Sequence, residues 1–169
     1  NHYFKKENSN ILLIGKTFGH IEQSCFLKEN FSISEGLPPE INLNNEKNNG
    51  ETVLQLIRKN LVTSVHDIAS GGLLVALSEM CISSNFGAKI YKPKKLTNKF
   101  EYFFGEDQGR YIIEVEKANL EKVIKMLNGN EVYYENIGKT QVKNFEVESE
   151  FNIGVNDLFK INNQWYNNY

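Results

Sequence analysis

The sequence carries only two arginines, Arg58 and Arg110, among its 19 basic side chains, which stand against 21 acidic ones for a formal charge of −2. Arginine supplies the planar fork that grips phosphates through paired hydrogen bonds, so the composition argues against a nucleic-acid groove and no nucleic-acid partner is expected. No apolar run approaches the roughly 20 residues that span a bilayer, which excludes a transmembrane helix, and no membrane partner is expected. Cysteine is as scarce. Cys25 and Cys81 lie far apart among apolar neighbours and read as two buried thiols in a reducing compartment. No metal clip, Walker loop or Ser-His-Asp order is spelled out, and there is no internal repeat. The first ten residues lack the apolar core and cleavage site of a secretory signal, so a cytoplasmic location is expected.

What remains is a chain of 169 residues, 40% hydrophobic, enough for one domain with a real core. It opens on Asn1 rather than Met, and the polar stretch Lys5 to Asn10 runs straight into an apolar strand. Residues 1–10 therefore read as a linker from a missing upstream domain, and residues 11–169 as the domain itself.

Ile11 to Ile14 is a continuous apolar run closed by Gly15, the pattern of a strand buried on both faces. Ser24 to Lys28 suits a short helix, Thr52 to Lys59 an amphipathic helix entered at Asn49 or Gly50, and Leu61 to Val65 a second strand. His66 to Ser70 reads as a loop. After it, Leu73, Leu74, Leu77, Met80 and Cys81 recur at helical spacing. Gly87 to Tyr91 and Arg110 to Val115 read as strands, Leu96 to Phe104 as a helix, and Leu120 to Leu127 as a helix stopped at Asn128-Gly129. Val132 to Ile137 and Phe145 to Val147 complete the sheet, and Leu158, Phe159, Ile161, Trp165 and Tyr166 place a last helix in the tail. The alternation predicts an α+β fold, a mixed β-sheet covered by helices.

Three stretches could carry chemistry. In the first, Gly15 to Ser24, glycines follow a buried strand, and free amides near Gly15 and Gly19, with His20, Gln23 and Ser24 beside them, could cradle a phosphate. The alternative is a strand-to-helix turn that needs only positive φ at Gly15 or Gly19. In the second, Ser64 to Leu73, Ser70 could cap a helix and leave the amides of Gly71 and Gly72 open, while His66 and Asp67 could form an acid–base or ligand pair or bond to loop amides. In the third, Phe103 to Tyr111, Glu106 and Asp107 could hold a hard cation or a substrate amine and Arg110 a phosphate or a carboxylate, or Arg110 could simply pair with Glu106 on a solvated turn. The aromatics Phe100, Tyr102, Phe103 and Phe104 fit either an interface or the domain's own core.

In this order the three stretches resemble the C-terminal domain of phosphoribosylformylglycinamidine synthase, with its G-E-T-x-G-H-L-G-Q-S, S-A-H-D-x-S-[DE]-G-G-L and F-G-E-D-Q-G-R-Y motifs. The resemblance covers nearly the whole chain, and aminoimidazole ribonucleotide synthase shares the domain type. Glu22 stands where the family often has glycine, and Ser70 where it has an acid. The resemblance implies a C-terminal domain like that of aminoimidazole ribonucleotide synthase, with Gly15, Gly19, His20, Gln23, Ser24, His66, Asp67, Gly71 and Gly72 as phosphate- or nucleotide-binding candidates. It implies by pseudo-symmetry that Glu106, Asp107, Gln108 and Arg110 occupy a substrate-like turn. No catalytic residue or metal ligand is expected here, because the family's ATP and magnesium are bound mainly by domains outside this sequence. The implied activity is purine-biosynthetic amidation of formylglycinamide ribonucleotide with ATP and glutamine-derived ammonia, with an ATP-binding domain of the same chain and a glutaminase subunit as partners. The alternative is a non-catalytic scaffold holding a degenerate auxiliary nucleotide pocket.

Overall fold

Strand β1, Asn10–Ile14, is buried at every position, and the reason is visible in its alternation. Ile11 and Leu13 enter one hydrophobic core and Leu12 and Ile14 another, on the opposite face of the sheet. A computed structural model describes residues 1–91, 93, 98–164 and 166. After β1 come α1 (Cys25–Phe31), α2 (Leu43–Arg58), β2 (Ser64–Asp67), α3 (Gly72–Ile82), β3 (Phe86–Ile90) and α4 (Lys99–Phe104). Then follow β4 (Tyr111–Val115), a short 3-10 turn, α5 (Leu120–Gly129), β5 (Tyr134–Val142), β6 (Asn144–Val147), β7 (Phe151–Gly154) and α6 (Val155–Asn163).

The seven strands form one sheet in the order β2-β4-β1-β5-β3-β6-β7. All neighbouring pairs are antiparallel except β3 with β6, so the sheet is mixed as predicted. One core joins β1, β3 and β6 to α3 and α4 through Leu73, Leu77, Met80 and Phe103. The other joins β1 and β4 to α2 and α5 through Leu56, Ile113, Val123 and Leu127. Burial of such side chains, about 1.5–3 kcal/mol for each, is what flattens the helices against the two faces.

Several expectations shift. Helix α2 starts at Leu43, ahead of the predicted entrance at Asn49 or Gly50, with Asn42 as its cap accepting from the Asn45 N–H at 3.0 Å. Its first residues, Leu43 to Asn48, are polar apart from Leu43 and exposed or half-buried, so hydrophobic periodicity could not mark them, and the turns that follow bury Asn49 and Thr52, which bond to Gly109 and Asn130. Strand β2 covers Ser64 to Asp67 instead of Leu61 to Val65, which puts His66 and Asp67 on a strand rather than in a loop. The edge strand β7 was not predicted, because its four residues are exposed or half-buried. Cys25 is exposed, contrary to expectation, since α1 buries none of its residues, whereas Cys81 is fully buried. Leu96 and Trp165 lie outside the described residues.

Residues 1–10, expected as a linker, are tied to the body. Phe4 is buried in the first core, and the main-chain N–H groups of Lys5 and Lys6 each donate to the Glu114 carboxylate at 3.0 Å. Thr140 accepts the Ser9 N–H at 2.8 Å on its hydroxyl. The aromatics near α4 divide: Tyr102 and Phe103 are buried in the core, while Phe100 stacks on Phe26 at 5.4 Å between ring centroids.

Candidate functional site

All three motifs converge on the turn between α4 and β4. The loop after β1 needs a left-handed backbone at Gly15 and Gly19, with φ of 87° and 80°. A side chain at Gly15 would meet the Gly109 carbonyl at 2.9 Å, so the first and third motifs touch backbone to backbone. Gly71 and Gly72 are also left-handed, and a Cβ on Gly72 would sit 2.7 Å from the Gly105 carbonyl. The second motif is thus pressed onto the third as well.

The two acids of the turn are spent on these loops. Asp107 Oδ2 accepts the N–H groups of Phe18 and Gly19, both at 3.0 Å, and Oδ1 accepts that of His20 at 3.2 Å. Glu106 Oε1 accepts the N–H of Cys25 at 2.8 Å and that of Gly71 at 2.7 Å. These loops are the ones the sequence offers for a phosphate, and each of these amides already holds a carboxylate oxygen. Ser70 does not cap α3: the cap position is Gly71, which has no side chain to offer, and the Glu106 carboxylate takes the amide there.

Arg110 is also turned inward. Only 1% of it is exposed, and it donates from Nε to the Asp107 carbonyl at 3.1 Å and from its terminal nitrogens to Thr17 Oγ1 at 3.1 Å and the Gly105 carbonyl at 2.5 Å. Burial lowers its pKa, with the nearby Asp107 charge opposing. The expected phosphate contact, and the alternative pairing with Glu106, both give way to this clamp, which binds the turn to itself and to the first loop.

The remaining candidates scatter. Ser24 caps α1 through an Oγ that accepts from Leu27 at 3.3 Å. His20 Nε2 bonds the Leu37 carbonyl at 2.8 Å, and Gln23 Nε2 donates to the Gly36 carbonyl at 2.6 Å. Glu22, the departure from the family pattern, accepts the Leu37 N–H at 2.7 Å, so its charge serves the 36–37 turn. His66 sits apart, with Asp67 at 3.4 Å, Glu79 at 3.0 Å and the His2 ring at 5.7 Å between centroids. That pairing replaces the bonds to loop amides. Gln108 is exposed and borders two clefts of about 260 and 270 Å³. One cleft is lined by Glu40, Glu46, Asp107 and Glu131 with Lys16 as its cation, the other by Glu46, Asp67, Glu106 and Arg110. Among the described residues no group of three or more His, Cys, Asp or Glu side chains could hold a metal ion. Asn49, which donates to the Gly109 carbonyl at 3.0 Å, was missed because a lone asparagine in a polar stretch carries no signal.

This arrangement of three loops on one acidic turn occurs in a chain whose residues 6–149 match the family described as AIR synthase related protein, C-terminal domain. The chain belongs to that family. It is 47% identical to the phosphoribosylformylglycinamidine synthase subunit PurL of Pelagibacter ubique over 97% of this chain and 23% of that protein. The chain therefore spans about a quarter of the length of the curated relatives it matches. Thermotoga maritima PurL complexed with FGAR shares the fold, with a TM-score of 0.73 at 16% identity over 93% of this chain and 29% of that one. PurL from the same organism complexed with ATP gives a TM-score of 0.70 at 15% identity, covering 93% of this chain and 26% of that one. For this AIR-synthase-related domain, no helix among the described residues is long and apolar enough to cross a membrane.

Proposed function

We propose that this domain is the C-terminal part of a PurL-type phosphoribosylformylglycinamidine synthase. The 47% identity to a PurL subunit over 97% of this chain carries the reading. The parent enzyme would be a cytoplasmic ligase of purine biosynthesis that activates the formamide oxygen of formylglycinamide ribonucleotide with ATP and displaces phosphate with ammonia delivered by a glutaminase subunit.

Within that enzyme the domain acts as a wall, not as the phosphate cradle. The residues here do not fit a nucleotide's phosphates: the amides of Phe18, Gly19, His20, Cys25 and Gly71 are taken by Asp107 and Glu106, and the clefts beside them are ringed by carboxylates. A phosphate brought there would meet the repulsion of these carboxylates where the loop amides are already engaged. ATP and magnesium then belong to the ATP-binding domain of the same polypeptide. Holding that domain in place keeps the charged reactants ordered and away from water.

The test is an assay of the longer polypeptide and of the 169-residue chain, each with formylglycinamide ribonucleotide, ATP, magnesium and ammonia. The longer chain should form formylglycinamidine ribonucleotide and the domain alone none. Turnover by the domain alone, or none by the longer polypeptide, overturns the proposal.

A further inference from the structure

The acids of the third motif hold loop amides, and Glu22 holds the 36–37 turn. The cleft of about 260 Å³ beside the first motif is different. Glu40 ahead of α2, Glu46 on α2 and Glu131 after α5 line it together. Among the described residues none of these three carboxylates makes an ion pair or accepts a hydrogen bond. Lys16, the cation of the same cleft, leans instead over the Tyr133 ring, 5.7 Å from its centroid.

Asn49 adds an observation independent of these charges. It is only 8% exposed, and it lines the same cleft. Its Nδ2 donates to the Gly109 carbonyl at 3.0 Å, which fixes the orientation of the amide and leaves Oδ1 without a donor among the described residues. That oxygen is not sealed in the interior, because the sealed side-chain atom without a hydrogen bond among those residues is His66 Nδ1. It therefore opens where Asn49 lines the cleft, as an acceptor still to be satisfied.

Glu46 and Asn49 stand three residues apart on α2, hence on one face of the helix. The cleft thus sets an amide oxygen beside a carboxylate, adds two further carboxylates, and has an aromatic wall that already carries an ammonium. All of these suit a ligand that only donates, and an ammonium has three N–H donors and no acceptor. A bare metal ion matches poorly, since among the described residues no group of three or more His, Cys, Asp or Glu side chains could hold one.

We propose that this cleft binds a linear aliphatic polyamine. One ammonium is taken by Glu46 and Asn49 Oδ1, another by Glu40 and Glu131, and the methylene chain between them lies against Tyr133, where Lys16 is its internal competitor.

The test is calorimetric titration of spermidine into the longer polypeptide with magnesium in excess, so that screening removes a merely electrostatic attraction. Saturable binding at one site per chain is expected. Glu46→Gln and Glu131→Gln keep the side-chain shape and should each weaken it about tenfold, the worth of one charge-assisted hydrogen bond. Glu121→Gln, on the exposed first turn of α5, should leave it unchanged. Lys16→Ala frees the Tyr133 ring and should tighten it. No saturable heat, a titration that Glu46→Gln and Glu131→Gln leave unaltered, an equal loss in Glu121→Gln, or looser binding in Lys16→Ala overturns the proposal.

Discussion

Asp107 and Arg110 stand three residues apart with opposite charges, yet the guanidinium donates to the Asp107 main-chain carbonyl while the Asp107 carboxylate collects three N–H groups from the loop after β1. The turn thereby spends its basic side chain on its own carbonyls and its acidic one on a glycine loop. An internal carboxylate thus engages the loop amides that the sequence offers for a phosphate.

Removing that carboxylate should open the loop. Asp107→Ala leaves three donors without their acceptor, and about 2–3 kcal/mol of stability should be lost, with Asp107→Asn intermediate. Urea denaturation measures the loss, and hydrogen exchange should show the amides of Phe18, Gly19 and His20 losing protection. Unchanged exchange in Asp107→Ala would contradict the geometry.

Gly72 should not tolerate a methyl group. Its φ is 71°, and an added Cβ would lie 2.7 Å from both the Gly105 carbonyl oxygen and the Phe104 carbonyl carbon. Backbone strain and overpacking, each about 1–3 kcal/mol, both oppose Gly72→Ala. A drop in thermal midpoint of several degrees is expected, whereas Gly129→Ala, with open space around it, should be nearly neutral.

The two thiols should separate by reactivity. Cys25 is exposed, while Cys81 is fully buried and burial pushes its thiol pKa up. A thiol reagent at pH 8 should consume one equivalent quickly and the second only after denaturation. Cys25→Ser should abolish the fast phase.

Alkaline stability should depend on Tyr102. Burial, reinforced by the charge of Glu135, raises its pKa above the ordinary value near 10. Above about pH 10 the unfolded chain releases this proton while the folded chain keeps it, so stability is full below that pH and falls as pH rises. Tyr102→Phe should flatten the fall, read from denaturation midpoints between pH 9 and 11.

How far the sequence spoke depended on whether a residue's partner was apolar. The run Ile11 to Ile14 declared a doubly buried strand because both faces demand hydrophobes, and the spacing of Leu73 to Cys81 declared α3. The start of α2, Leu43 to Asn48, stayed hidden because it is polar apart from Leu43 and exposed or half-buried, so no apolar spacing marks it. The three motifs were legible as glycine loops and an acidic turn. That Glu106 and Asp107 would fill those loops was not, since 81 to 89 residues separate the acids from Phe18, Gly19, His20 and Cys25. His66 and Asp67 looked like loop chemistry only because a short polar edge strand leaves no hydrophobic alternation.

The closure of this domain's glycine loops by its own carboxylates stands on the hydrogen bonds of Asp107 and Glu106 to the amides of Phe18, Gly19, His20, Cys25 and Gly71. It is tested most directly by titrating ATP, and separately inorganic phosphate, into the isotope-labelled chain while following the amide resonances of Phe18, Gly19, His20 and Gly71. The account predicts no saturable shift of these four resonances up to millimolar ligand. A saturable shift of all four, with the Asp107 and Glu106 carboxylates displaced, would contradict it.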